Sequence, residues 1–271
     1  MKKGIGDDIR QIGVVTKYEL LKHLRSKRVL IFIGIAALLL ALVTALLILV
    51  GDGLPDDPKS FMEAYLSFVF LMVIIGVSLV FAPVVAAEFE ERTALLMFPK
   101  PIKKTSFFIG KVLACYILSA AVILLYYGIC IAMSFAAAGG LDMNTFGSLG
   151  MALMFVFGAG GFALLMSSLF KKGSTAIIMT ILTLFLIFNI VDSMCSMFEI
   201  EPVFSITYAA LDIQNYISGH VTELQVIPMG GDVSFTFMQY YPTHALAFSV
   251  MAIYGIVTTV VSALLFSRRE V

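Results

Sequence analysis

Val29 to Val50 reads VLIFIGIAALLLALVTALLILV, 22 residues without a single charge. As a helix, a run of that size rises about 33 Å, enough to cross the roughly 30 Å hydrocarbon layer of a bilayer. Eight Lys and Arg lie within residues 1–28 ahead of it, and Gly51 with the acids Asp52, Asp56 and Asp57 follows. The run is too long for the apolar region of a signal peptide and no small-residue cleavage site follows, so it is expected to remain as a span.

Five further uncharged runs approach or exceed membrane length: Ala64 to Ala87, Val112 to Leu141, Met143 to Phe170, Gly173 to Val191, and Val233 to Ser267. Of the 271 residues, 60% are hydrophobic and 13% charged, and the mean hydropathy is +1.01. Such a chain cannot place its apolar surface inside one water-soluble core. A membrane barrel would need segments of about ten residues alternating apolar and polar, and the sequence is read as having none. The expected fold is therefore an all-α integral membrane protein of six spans, forming one transmembrane domain over residues 1–271.

Net charge is zero, with 18 basic and 18 acidic residues, and gives no sign of a nucleic-acid partner. Their placement carries the information. Arg92, Lys100, Lys103, Lys104 and Lys111 follow the second run, Lys171 and Lys172 the fourth, and Arg268 and Arg269 the sixth; Lys59 alone falls on the other side. Asp142, Asp192, Glu199, Glu201, Asp212, Glu223 and Asp232 gather with Lys59. Because Lys and Arg accumulate in cytoplasmic loops, both termini are expected in the cytoplasm of a multi-pass protein of the cell membrane.

Residues 1–28 are expected to form a cytoplasmic arm in which Val14, Tyr18 and Leu21 make one apolar stripe, either a helix along the membrane surface or a solvated basic arm. Residues 199–242, with Pro202, Pro228, Gly230, Gly231 and Pro242, are the one sizeable external segment and read as short helices at the outer surface. Pro83 permits a kink in the second span. Cys115, Cys130 and Cys195 lie in or beside apolar runs and read as packing residues rather than redox or metal groups.

Few polar side chains suggest chemistry. Gly110 and Lys111 have the look of the end of a phosphate-binding loop, but Thr105 and Val112 stand where that loop needs Gly and Ser or Thr. Gly158, Gly160 and Gly161 lie inside an apolar run and point to close helix packing, not to a dinucleotide site. His23, His220 and His244 lack ligand spacing, so no metal is expected. Asn189 and Asp192, three residues apart near the outer end of the fifth span, are the candidate substrate-binding pair, against the simpler reading of an acid marking the end of the helix.

The cytoplasmic connection between the second and third spans is the most informative stretch. Acids open it at Glu88, Glu90 and Glu91, the apolar Leu95, Leu96, Met97 and Phe98 fill its middle, and Pro99 and Pro101 stop it. Thr105 or Ser106 is expected to cap the third span. A short helix with an apolar face in the cytoplasm requires lipid or a protein partner to cover that face.

This connection resembles that of the permease subunits of type-2 ABC exporters, where an acidic cluster, Gly-Thr, a leucine-rich turn, a proline and then Gly-Lys open the third span. Glu88, Glu90 and Glu91 match the acids, Thr93 the threonine, Leu95 and Leu96 the leucines, Pro101 the proline, and Gly110 with Lys111 the Gly-Lys; Arg92 replaces the usual glycine. Lys17, Glu19, Leu20 and Arg25 look like the family's amphipathic start, and Arg268 with Arg269 like its close.

The resemblance implies a six-helix permease, paired with a second copy or a similar chain, in which residues 88–106 dock into a separate cassette ATPase. ATP and Mg would be bound by that partner and no cofactor by this chain, which would be a transport subunit and not an enzyme. A secondary transporter or a membrane scaffold without transport are the competing readings. A secondary transporter would more often show mid-membrane charges and repeated halves, neither of which is visible in the sequence.

Overall fold

The computed structural model describes residues 5–51, 53–90, 104–228 and 234–268. Six helices among them are long and apolar enough to cross a membrane: Lys27–Leu49, Pro58–Ala87, Lys104–Ala137, Asn144–Leu169, Gly173–Met197 and His244–Arg268. Ahead of the first lies an amino-terminal helix, Ile5–Leu24, separated from it by a tight turn at Ser26, whose Oγ accepts from the Arg28 N–H.

The second span starts earlier than its uncharged run. Asp57 caps it, Oδ2 accepting from the Ser60 N–H at 3.0 Å, and Pro58 occupies the first turn, where a missing N–H costs nothing. Helical geometry then breaks at Ser67–Phe68 and again at Phe81–Ala82, and Pro83 begins the last piece, Pro83–Glu90. Pro83 thus produces the break its chemistry permits.

The third span begins by Lys104, so Thr105 and Ser106 sit in its first turn and do not cap it. Its uncharged run begins only at Val112, because Lys111 carries the last charge before it. Lys111 is in fact buried within the helix and paired, which removes the penalty. The fifth span continues past Val191 to Met197 through a π-helical stretch, Leu182–Ile187.

The sixth run is divided. Ser234–Gln239 pairs antiparallel with Glu223–Pro228, Glu223 opposite Gln239 and Pro228 opposite Ser234, and the span itself begins only at His244. Ser, Phe, Thr, Phe alternate from position 234, so one segment does carry the period of a strand. The molecule is a helical membrane fold with this two-stranded hairpin added at one end.

Between the fifth span and the hairpin, Ile206–Ala210 and Asp212–Ser218 form the expected short helices. Their apolar faces are not left free. Ile206, Ala209, Ala210, Ile213 and Ile217 are almost wholly buried, packed against the fourth and sixth spans. The sequence supports this sinking, since ITYAALDIQNYI is largely apolar.

The second, third and fourth spans make the core, with 72%, 56% and 61% of their most apolar windows buried, against 28%, 17% and 22% for the first, fifth and sixth. Lipid offers no hydrophobic drive between helices, so close packing and polar contacts hold them together. Where the fourth and sixth spans meet, a Cβ on Gly161 would fall 2.9 Å from the Gly255 carbonyl oxygen, and only glycine permits that approach. Nearby the Ser168 and Ser262 hydroxyls lie 2.6 Å apart. Tyr126 donates to the Tyr65 carbonyl at 2.6 Å, tying the third span to the second. Cys115 and Cys130 are buried free thiols, in keeping with a packing role.

Candidate functional site

Of the residues singled out on the connection, Glu91, Thr93, Leu95, Leu96 and Pro101 lie outside the described residues, as do Arg92 and Met97 to Pro99. Glu88, Glu90, Gly110 and Lys111, on its two flanks, are described in backbone, and the last three in side chain as well.

On the incoming flank, the break at Phe81–Ala82 leaves the first N–H groups of Pro83–Glu90 without helical partners. Ser167 of the fourth span supplies one: its Oγ accepts from the Val85 N–H at 2.9 Å and the Ala86 N–H at 3.1 Å, all buried. At the other end of this short helix the Glu90 Oε2 accepts from the Gly173 N–H at 2.9 Å. Gly173 opens the fifth span, and a carboxylate there also meets the positive end of that helix. The run-in to the connection is therefore bolted to the fourth and fifth spans.

On the outgoing flank, Gly110 and Lys111 face the amino-terminal helix. A Cβ on Gly110 would lie 2.7 Å from the Val15 side chain, and its carbonyl accepts from the Thr16 hydroxyl at 3.1 Å. One turn along, Lys111 Nζ lies 2.9 Å from Glu19 Oε1, both side chains nearly inaccessible, and 5.0 Å from the centre of the Phe107 ring. Glycine lets the two helices touch, and the lysine locks them. A phosphate could not be cradled here, since the glycine backbone is covered and the lysine is engaged with a carboxylate.

His23 completes this cluster, its Nε2 3.6 Å from Cys115 Sγ. Burial pushes the His23 imidazole below its usual value; Glu19 pulls it up, while Lys111, Lys22 and Arg28 push it further down. The stripe of Val14, Tyr18 and Leu21 points away from the third span and is exposed, placing the helix's lipid-compatible side outward.

Asn189 and Asp192 belong to a different place, the hairpin end of the bundle. Asn189 Nδ2 donates to the Phe185 carbonyl at 2.8 Å, an acceptor within the π-helical turn. Asp192 Oδ2 accepts from the Thr207 hydroxyl at 2.6 Å. Together with Tyr208, Gln239 and Tyr240 these residues line a cavity of about 280 Å³. The two residues share a cavity without bonding each other, and their partners come from elsewhere in the chain. Thr207, Tyr208 and Tyr240 carry no sequence signal of their own, because only the packing of the described residues of 199–242 against the spans brings them beside Asp192.

A second polar contact at this end also escaped notice. Asp212, fully buried, has both carboxylate oxygens 2.8 and 3.0 Å from His244 Nδ1, and the imidazole stacks on Tyr216 at 4.2 Å between ring centres. Burial pushes the Asp212 carboxyl up, and the hydrogen bond from His244 works against that shift. The pair joins the sunken helix Asp212–Ser218 to the first turn of the sixth span. The three histidines stay apart, and among the described residues no group of three His, Cys, Asp or Glu is placed to hold a metal.

The model of the family described as ABC-2 family transporter protein matches residues 49–264, well over half of the chain. No curated protein matches it.

Proposed function

Because the chain belongs to the ABC-2 transporter family, a family of membrane transport subunits, we propose that it is the permease of an exporter whose ATP is hydrolysed by a separate cassette ATPase. In this reading both termini and the basic connections are cytoplasmic, the molecule sits in the cell membrane, and the permease works beside a second copy or a similar chain. ATP and Mg belong to the partner.

The observation that carries the coupling assignment is the anchoring of both flanks of the connection. Glu90 is bonded to the start of the fifth span, and Lys111 to the amino-terminal helix. A push on Thr93 to Pro101 would be passed to helices anchored on either side, through Glu90 and Lys111. The apolar Leu95, Leu96, Met97 and Phe98 fit a groove in a protein partner better than water.

Expression of the tagged full chain from its own genomic context, followed by purification into lipid nanodiscs, tests the reading. Magnesium-dependent ATP hydrolysis should accompany the chain and disappear when a second polypeptide is stripped away. Hydrolysis that stays with the single purified chain would refute the division of labour.

A further inference from the structure

The cavity at the hairpin end has a chemistry that the transport reading leaves unassigned. Asp192 uses one oxygen for Thr207, with the Ser205 hydroxyl beside it, while its Oδ1 is shut away from solvent and makes no hydrogen bond of normal geometry among the described residues. A carboxylate oxygen in that position is unsatisfied until a donor arrives. No described Lys, Arg or His lines the cavity. Lys59, the cation assigned to this side by sequence, donates to the Ser218 carbonyl at 3.2 Å instead. Behind the wall a second carboxylate, Glu201, accepts from the Tyr208 hydroxyl at 2.8 Å. The chamber is thus lined by a carboxylate without a basic side chain, with Tyr208 and Tyr240 among its lining residues.

We propose that this cavity is a binding site for the ammonium head of an amphiphilic organic cation, with Asp192 as its counter-ion and Tyr208 and Tyr240 as its aromatic wall. An ammonium supplies further hydrogen-bond donors to the Asp192 carboxylate, which lines the cavity and among the described residues holds only one donor, the Thr207 hydroxyl, at hydrogen-bond distance. Aromatic faces attract the same charge through their quadrupoles. At about 280 Å³ the space suits a head group better than a whole drug-sized molecule, for which roughly 300–1,000 Å³ is usual. The tail has an exit at the cavity's edge: Leu211 lines the cavity and is itself exposed to the surroundings of the bundle. The π-helical turn one residue before Phe188 is a further sign, since such turns recur at functional sites.

The proposal names a substrate class for the permease and rests on that reading only for the direction in which the cation moves. Binding is therefore measured on the full chain alone, in nanodiscs of neutral phosphatidylcholine, with radiolabelled dodecylammonium as the probe and empty nanodiscs as the partition control. Saturable binding is expected, weakened at least tenfold by Asp192→Asn and unchanged by Glu199→Gln, an acid at the same end outside the cavity. Dodecyl sulfate should show partition only. Equal binding by the wild type and Asp192→Asn, or saturable binding of dodecyl sulfate, would overturn the proposal. Should Asp192→Asn fail to fold, Leu211→Trp, which fills the cavity from its edge, and Tyr240→Ala decide the matter: both should weaken the probe, and wild-type affinity in both would reject the site. Failure here leaves ATPase association untouched, so the two readings fail separately.

Discussion

Lys111 in the third span and Glu19 in the amino-terminal helix form an ion pair of 2.9 Å with both side chains almost inaccessible. It sits one turn beyond the point where Gly110 admits Val15. The Gly-Lys dipeptide, read in the sequence as the close of a connection, is thus a socket for a helix more than eighty residues away.

Breaking a buried pair from one side leaves an uncompensated charge and typically costs about 3–5 kcal/mol. Lys111→Met should therefore undock the amino-terminal helix, seen as a lower thermal midpoint and faster proteolysis within residues 5–24. Adding Glu19→Leu should recover most of the loss, because replacing both members with apolar groups of similar size is often close to neutral. A double variant as unstable as the single one would show that the pair is not what holds the helix.

Acid should loosen the same contact. His23 is held below its usual value of 6.5 by burial, first of all, with Lys111, Lys22 and Arg28 adding to the shift and Glu19 opposing it. Below that value the undocked helix binds a proton that the docked one resists, so docking weakens as pH falls from about 6.5 toward the docked value. Hydrogen exchange across residues 5–24 should be faster at pH 5.5 than at pH 8 after correction for intrinsic rates. His23→Gln should flatten the difference, and an unaltered difference in that variant would assign it to another group.

Topology follows from charge and is checked by thiol labelling in a background with Cys115, Cys130 and Cys195 replaced. A cysteine at 172 should resist an impermeant reagent on intact cells, and one at 57 should react. The reverse pattern would invert the molecule.

The spans were legible because length and apolarity alone define them: the first and fourth appear in the sequence to within two residues at both ends, and the second, fifth and sixth to within one residue at one end. Errors arose where tertiary contacts override that rule. Lys111 ended a run on paper, yet Glu19 neutralises it inside a helix. Val233 to Pro242 merged with the sixth span because Phe235, Phe237 and Met238 are apolar, although their alternation marked a strand. The candidate site was half visible. Asn189 and Asp192 stood out as polar residues in an apolar run, whereas Thr207 and Tyr208 gave no signal until the segment bearing them was seen to sink into the bundle.

The account turns on Thr93 to Pro101 as the contact with a separate ATPase, and the double variant Leu95→Asp, Leu96→Asp tests it most directly. These residues lie between the spans, so membrane insertion and thermal stability should be preserved, while association with the ATPase weakens by about 2 kcal/mol or more, as at an interface hot spot, and a cysteine at 96 should crosslink to that partner. A double variant that keeps its ATPase and its substrate-stimulated turnover would contradict the account and leave the segment as a membrane-surface helix.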